Sequence, residues 1–198
     1  MAPGINCKDR MHFGSSMQKD VRFFDGFNLI AGTGDLKAAL AQLIQLTAEA
    51  ANSHAAPIFI VDSRANVLKP LVTYGLPEGY VKACGDVRIG DQCCGRAVEQ
   101  RKTWIVSDMF TDPLFALARE AAVDSPIRAA FSVPIIDQTG LCIGSLGIGS
   151  LACHYSEPYT PTSGDIDRNN VWATMIAHTI FQYPHKPLRN HYAIAGSW

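Results

Sequence analysis

The chain predicts an α+β fold, a central antiparallel sheet with helices on both faces. Three observations lead there. Two long amphipathic helices bracket the chain, over residues 35–51 and 165–181. Between them lie β-rich runs at 58–61, 67–74, 104–106, 129–136 and 141–152. The order is strand, strand, short helices, strand, strand between the long first and last helices, which reads as an antiparallel sheet.

Taken in order, residues 1–30 mix Gly, Ser, charge and a Phe23-Phe24 pair without period, and are read as a loose lead-in with one short helix over 16–24. The main domain is expected over 31–183. In the helix 35–51, Leu36, Leu40, Leu43, Leu46 or Thr47, and Ala50 recur at steps of three and four, forming one apolar stripe. Asp35, after Gly34, is its expected N-cap. Ile58-Phe59-Ile60-Val61 ends at Asp62-Ser63, and 67–74 reads as its hairpin partner. Gly75-Leu76-Pro77 breaks that strand, and short helices follow over 78–83 and 93–100, then the strand Trp104-Ile105-Val106. Asp112-Pro113 supplies an N-cap and a first-turn proline for an Ala/Leu-rich helix over 113–123. The two long central strands, 129–136 and 141–152, are joined by the turn Asp137-Gln138-Thr139-Gly140.

The second central strand holds near-duplicates, Ile143-Gly144-Ser145-Leu146-Gly147 and Ile148-Gly149-Ser150-Leu151-Ala152. An odd shift of five puts the two copies on opposite sheet faces, and the glycines predict a bulge or a longer edge. Thr162-Ser163-Gly164-Asp165 is a capping box with Asp in the acidic position. The helix it opens carries Ile166, Ala173, Ile176, Ala177 and Ile180 on one side, and Pro184 and Pro187 stop it. The tail 184–198 has no readable pattern.

A hydrophobic fraction of 47% with 18% charged residues fits a compact globular chain. The formal net charge of -1 supplies no electrostatic footprint for nucleic acid or an anionic membrane. No run approaches the ~20 apolar residues of a membrane span. Residues 1–10 lack the apolar core of a secretory signal, so a cytoplasmic location is expected, with the six cysteines mostly reduced. Their spacing suggests neither a zinc site nor covalent haem.

A series of short motifs then carries a family resemblance. Gly90-Asp91-Gln92-Cys93-Cys94-Gly95-Arg96-Ala97-Val98 precedes Thr103-Trp104-Ile105-Val106-Ser107-Asp108 and Thr111-Asp112-Pro113. Ile127-Arg128-Ala129-Ala130-Phe131-Ser132-Val133-Pro134-Ile135-Ile136, Gly140 and Gly144-Ser145-Leu146 follow. In this order and spacing they resemble a GAF domain, a sensory α/β signalling module, over roughly residues 36–180. The resemblance implies a GAF/PAS-like sheet, a small-molecule pocket between sheet and short helices, and a role in signal transduction.

Tyr74, Trp104, Phe115 and Phe131 are aromatic residues on elements that surround the pocket in that architecture, and Asp108, Arg128 and Ser132 are the polar groups beside them. Each alone also fits ordinary core packing. Together the seven are the expected ligand-binding set, an apolar site with a few polar groups. Arg128, at the start of a central strand, can pair with Asp108 or Asp124, or hold an anionic ligand.

Cys93-Cys94-Gly95 admits two readings, a helix-terminal thiol of lowered pKa or a small buried core residue. Cys84 and Cys94, ten positions apart, form a candidate redox pair, because the spacing resembles the free methionine-R-sulfoxide reductases, which are GAF enzymes. That family's attacking cysteine belongs in the loop that is here Ala121-Ala122-Val123-Asp124-Ser125-Pro126, and its acidic pair falls where this chain has Ala152-Cys153-His154. Nucleophile and acids are both missing, so a non-enzyme is expected. Cys153-His154 is similar to the Cys-His pair of bilin-binding GAF domains but sits after the last strand, which leaves His154 a structural or surface role. A haem-sensing relative would carry histidine where Ser125 stands. No Asn-Lys-x-Phe-Asp-Glu signature supports a cyclic nucleotide, and no cofactor is assigned.

No kinase, cyclase, helix-turn-helix or ATPase motif is present, so output is expected through a partner such as a signalling kinase or regulator, or through a dimer. The first helix carries Ala38, Ala39 and Ile44 beside its leucine stripe, and the last carries Val171 and Trp172. This surplus predicts a homodimer built as a four-helix bundle.

Overall fold

The computed structural model describes residues 35–115, 119, 127–136 and 149–182. In chain order the elements are α1 (Leu36–Ala51), β1 (Ala56–Asp62), β2 (Val67–Tyr74), α2 (Glu78–Cys84), β3 (Val87–Arg88), α3 (Gln92–Gln100), β4 (Trp104–Val106), a 3-10 turn (Pro113–Phe115), β5 (Ala129–Ile135), β6 (Gly149–Tyr155) and α4 (Ser163–Gln182). The six strands form one antiparallel sheet in the order β3-β2-β1-β6-β5-β4. The class is α+β, as the sequence predicts.

Local chemistry sets the ends. The Asp35 carboxylate accepts the Lys37 N–H at 2.9 Å to open α1, and Asn52 closes it in the left-handed conformation at φ 51°. The β1–β2 hairpin turns where the Asp62 carboxylate accepts the N–H groups of Arg64 and Ala65, with Asn66 at φ 54°. At α4 the Thr162 hydroxyl accepts the Asp165 N–H at 3.2 Å and the Asp165 carboxylate accepts the Thr162 N–H at 2.9 Å, a reciprocal cap.

The sheet divides two layers. On one face, α1 and α4 pack together with Ala56, Ile58, Ile60, Phe131, Val133, Ile135, Leu151, Cys153 and Tyr155. On the other, α2, α3 and the 3-10 turn cover Phe59, Val61, Ala130 and Ala152. β1 and β5 are buried along their whole length, so each must present acceptable side chains to both layers. Gly95 shows the closeness of the second layer: a Cβ there would collide with the Arg88 carbonyl. The glycine of Cys-Cys-Gly is therefore required by the approach of α3 to β3.

Several expectations change. β6 runs to Tyr155 rather than ending at Ala152, which places Cys153 and His154 within the strand. β3 was not expected, since two residues are too few to show a period. Of the helix over 113–123, the described part is the 3-10 turn and the single helical residue Arg119. The helix over 16–24, the turn at 137–140, the first duplicate copy at 143–147 and the tail lie outside the described residues. The irregularity that is described falls in the β1–β2 pairing, between Ile58 and Phe59.

Most of the apolar surplus behind the expected homodimer is taken up within the chain, Val171 excepted. Leu36, Ala39, Leu40, Leu43, Ile44 and Trp172 are all buried within one chain, because α1 and α4 wrap the sheet and each other. Among the described residues, Ile105 and Val171 are the large apolar side chains left exposed. The outward positions of α1 are Lys37, Ala41, Gln42, Gln45 and Glu49. Leu43 is thus a core residue of the single chain. Leu43→Ala should lower unfolding stability by roughly 2–5 kcal/mol in urea titrations. Leu43→Glu should prevent folding outright, and a well-folded Leu43→Glu monomer would contradict this packing.

Candidate functional site

The strand registers define the inner face beneath α2 and α3. Trp104 lies opposite Ser132 and Ser132 opposite Ala152, while Val106 lies opposite Ala130 and Ala130 opposite His154. Directly paired residues share a sheet face. This face therefore offers three small side chains, Ala130, Ser132 and Ala152, with one imidazole among them. The Ser132 hydroxyl is already used, donating to the Leu151 carbonyl at 3.3 Å.

His154 is 5% exposed. Its backbone is pinned on both sides, donating N–H to the Ala55 carbonyl at 2.8 Å and accepting the His54 N–H at 2.9 Å. The Tyr80 ring of α2 meets it edge-on, centroids 6.4 Å apart. Its Nδ1 is buried and has no hydrogen-bond partner. Burial pushes the imidazole down to about 4; the Ala55 carbonyl pulls the other way but makes no hydrogen bond to Nδ1. His154 is neutral at physiological pH. A buried polar atom without a partner is rare in a folded chain and calls for a specific cause.

α3 supplies the cover. The Cys93 thiol points down at the sheet, donating to the Trp104 carbonyl at 3.3 Å and the Ala130 carbonyl at 3.7 Å. Burial first, and then Cys94 and Asp112, push this thiol well above its usual pKa, so it stays protonated. Arg96, one turn later, lays its guanidinium over the Trp104 indole at 5.4 Å, yet its buried Nε has no partner. Arg119 donates from Nη2 to the Asp112 carbonyl at 3.3 Å, and its Nε is likewise buried and unpartnered.

The expected ligand set does not gather on this face as a whole. Trp104, Phe115 and Ser132 belong to it. Asp108 and Arg128 spend their charges on each other at its rim, through a bidentate pair at 2.7 and 2.8 Å, with Arg128 also over the Phe110 ring at 4.9 Å. Hydrogen bonding to Arg128 holds the Asp108 carboxyl down to about 2. The pair ties the exit of β4 to the entry of β5, where the Arg128 carbonyl accepts the Met109 N–H at 2.7 Å. Tyr74 and Phe131 pack instead into the α1/α4 layer, Phe131 stacked on Tyr155 with centroids 6.3 Å apart. The reason is strand alternation: Phe131 and Ser132 are neighbours and cannot face the same side.

The sequence marks neither Tyr80, Arg96 nor Arg119 as a site residue and gives His154 only a structural or surface role, while Cys93 takes the buried of its two expected readings. His154 was legible had the strand been carried three residues further, since it then falls on the face of Ala152. Cys94 sits in an apolar cluster with Phe59, Val61, Leu68 and Val98, 6% exposed. Cys84 closes α2, and its side chain lies outside the described residues. Two surface clefts, of about 440 and 310 Å³, run beside α4, one past Arg101–Thr103 and one between the end of α1 and the start of α4. Neither touches His154. Among the described residues no group of His, Cys, Asp and Glu could hold a metal ion.

The family model of the GAF domain matches residues 35–180. The chain belongs to the GAF domain family. Solved structures agree on the fold. A free methionine-R-sulfoxide reductase of Neisseria meningitidis, in complex with its substrate, matches at 19% identity and TM-score 0.68, covering 92% of this chain and 96% of that one. The GAF domain of a phosphoenolpyruvate-protein phosphotransferase from Coxiella burnetii matches at 19% and 0.70, covering 85% and 96%. A putative GAF sensor protein from Burkholderia vietnamiensis matches at 19% and 0.67, covering 86% and 98%. No curated protein matches the sequence.

The buried imidazole sets a pH dependence. With a folded pKa of about 4 against 6.5 unfolded, the folded state binds fewer protons. The stability tied to neutral His154 is complete above 6.5 and is lost as pH falls towards 4, a loss of about 3 kcal/mol at 1.36 kcal/mol per unit. His154→Gln should flatten that slope. Urea midpoints measured from pH 7 to 4 decide it, and parallel profiles for both proteins would refute the assignment.

Proposed function

We propose that this GAF domain is a sensory module that binds a small molecule over β5 and β6, beneath α2 and α3, and acts in signal transduction without catalysing a reaction. The observation that carries this is His154: a neutral, buried imidazole with a free ring nitrogen, on a floor of small side chains. An apolar site with a few directed polar groups is the ordinary design of a small-ligand pocket.

The same strand offers a route for output. His154 faces the pocket side, while its neighbours Cys153 and Tyr155 face the helix layer. The Cys153 thiol donates to the Asn169 side-chain oxygen of α4 at 3.3 Å. The Tyr155 hydroxyl donates to the Ala51 carbonyl, the last residue of α1, at 3.2 Å. A shift of β6 on ligand binding is thus delivered to both long helices, whose outer faces would engage a kinase, a regulator or a second copy. A cytoplasmic setting suits this role, and no helix among the described residues is long and apolar enough to cross a membrane.

Reductase chemistry finds less support. The Cys94 thiol is packed among Phe59, Val61, Leu68 and Val98 and is only 6% exposed, so a substrate has little access to it. The loop at 121–125, where the attacking cysteine would stand, holds none.

Thermal-shift screening of the full chain against a panel of small metabolites tests the sensory reading. A compound that raises Tm in the wild type, and much less in a folded His154→Leu variant, is expected. No stabilising compound, or equal shifts in both proteins, would count against it. Free methionine-R-sulfoxide should not be turned over; turnover abolished by Cys94→Ser would restore the redox reading.

A further inference from the structure

The ion pairs among the described residues join Lys69 to Asp62, Lys82 to Glu78, Arg128 to Asp108 and Arg168 to Asp165. Arg96 and Arg119 are in none of them. Both have a buried Nε–H without an acceptor. Stacking on Trp104 engages the face of the Arg96 guanidinium and does not satisfy its in-plane Nε–H.

The two arginines border one cluster. Arg96 follows Cys93 by one helical turn, so both lie on the same side of α3. Cys93 packs with Tyr80, Phe115 and Ala130. Arg119 reaches back to the Asp112 carbonyl, three residues before Phe115, and the Asp112 charge acts on the Cys93 thiol. Arg96, through Trp104, and Arg119, through Asp112, thus each border this cluster with a buried Nε–H that has no acceptor. Planar guanidinium groups in this state match an oxyanion, and paired donors give such contacts direction as well as strength.

We propose, resting on the sensory reading above, that the ligand is a small organic acid. Arg96 and Arg119 hold its carboxylate, its hydrocarbon or aromatic body lies against Cys93, Tyr80 and Phe115, and a polar atom completes the hydrogen bonding of His154 Nδ1. The apolar cluster selects an organic acid over inorganic phosphate, which has no body to bury there.

Calorimetric titration of the full chain with benzoate, benzamide and inorganic phosphate tests this. Benzoate is expected to bind, with benzamide and phosphate each at least about tenfold weaker, the loss that one charge-assisted hydrogen bond produces. Arg96→Gln and Arg119→Gln should each weaken benzoate roughly tenfold while leaving benzamide unchanged. Circular dichroism and the urea midpoint establish that each variant is folded, and if one is not, the other carries the test. Benzamide binding as tightly as benzoate and weakened by His154→Leu would overturn the organic acid while sparing the sensory reading. Phosphate matching benzoate would overturn it in favour of an inorganic oxyanion. Binding of none of the three would also overturn it, and the metabolite screen then judges the sensory reading by itself.

Discussion

β5 is buried on both faces, and this constraint organises the rest of the protein. A strand with two buried faces must sort its side chains by position, because neighbours point opposite ways. Here the sorting is by size. Phe131, Val133 and Ile135 fill the layer against α1 and α4, while Ala130 and Ser132 present small side chains to the other side. β6 repeats the pattern: Leu151, Cys153 and Tyr155 face the long helices, and Ala152 and His154 face α2 and α3. Both layers are packed with apolar side chains, and the second also holds small strand residues and the unpartnered His154 Nδ1.

The two layers meet the same backbone, so they are not independent. Residues 153 and 155 hold α4 and α1 by side-chain hydrogen bonds, and residue 154 between them looks into the opposite layer. Interiors at close packing transmit displacement rather than absorb it. Three consecutive residues of one strand thus link the face beneath α2 and α3 to both long helices. Cys153, pushed up to about 12 by burial, is a neutral donor to the Asn169 side chain.

Charge follows the same division. Arg128 and Arg168 have carboxylates beside them and act as structural clamps at the ends of strands and helices. Among the described residues, Arg96 and Arg119 are in no ion pair. Residue type alone cannot separate these roles, since all four are arginines in the same domain. The presence or absence of an acidic neighbour does, and that neighbour comes from elsewhere in the chain in the case of Arg128, twenty residues from Asp108.

The sequence by itself determined the class of fold, the two long helices with their caps at Asp35 and Thr162, and five of the six strands, because those signals are local. Periodicity, capping chemistry and turn residues act within a few positions of one another. It also excluded the reductase nucleophile from 121–125, which needs only the absence of a cysteine. Tertiary structure decided which side each residue faces once strand ends are settled. Ending β6 at Ala152 left His154 outside the sheet, and treating Phe131 and Ser132 as one site ignored their alternation. It also decided that the leucine stripe of α1 is consumed within the chain. Whether an apolar stripe meets its own sheet, or a charge meets a partner, depends on contacts between segments far apart in sequence, and no local pattern encodes them.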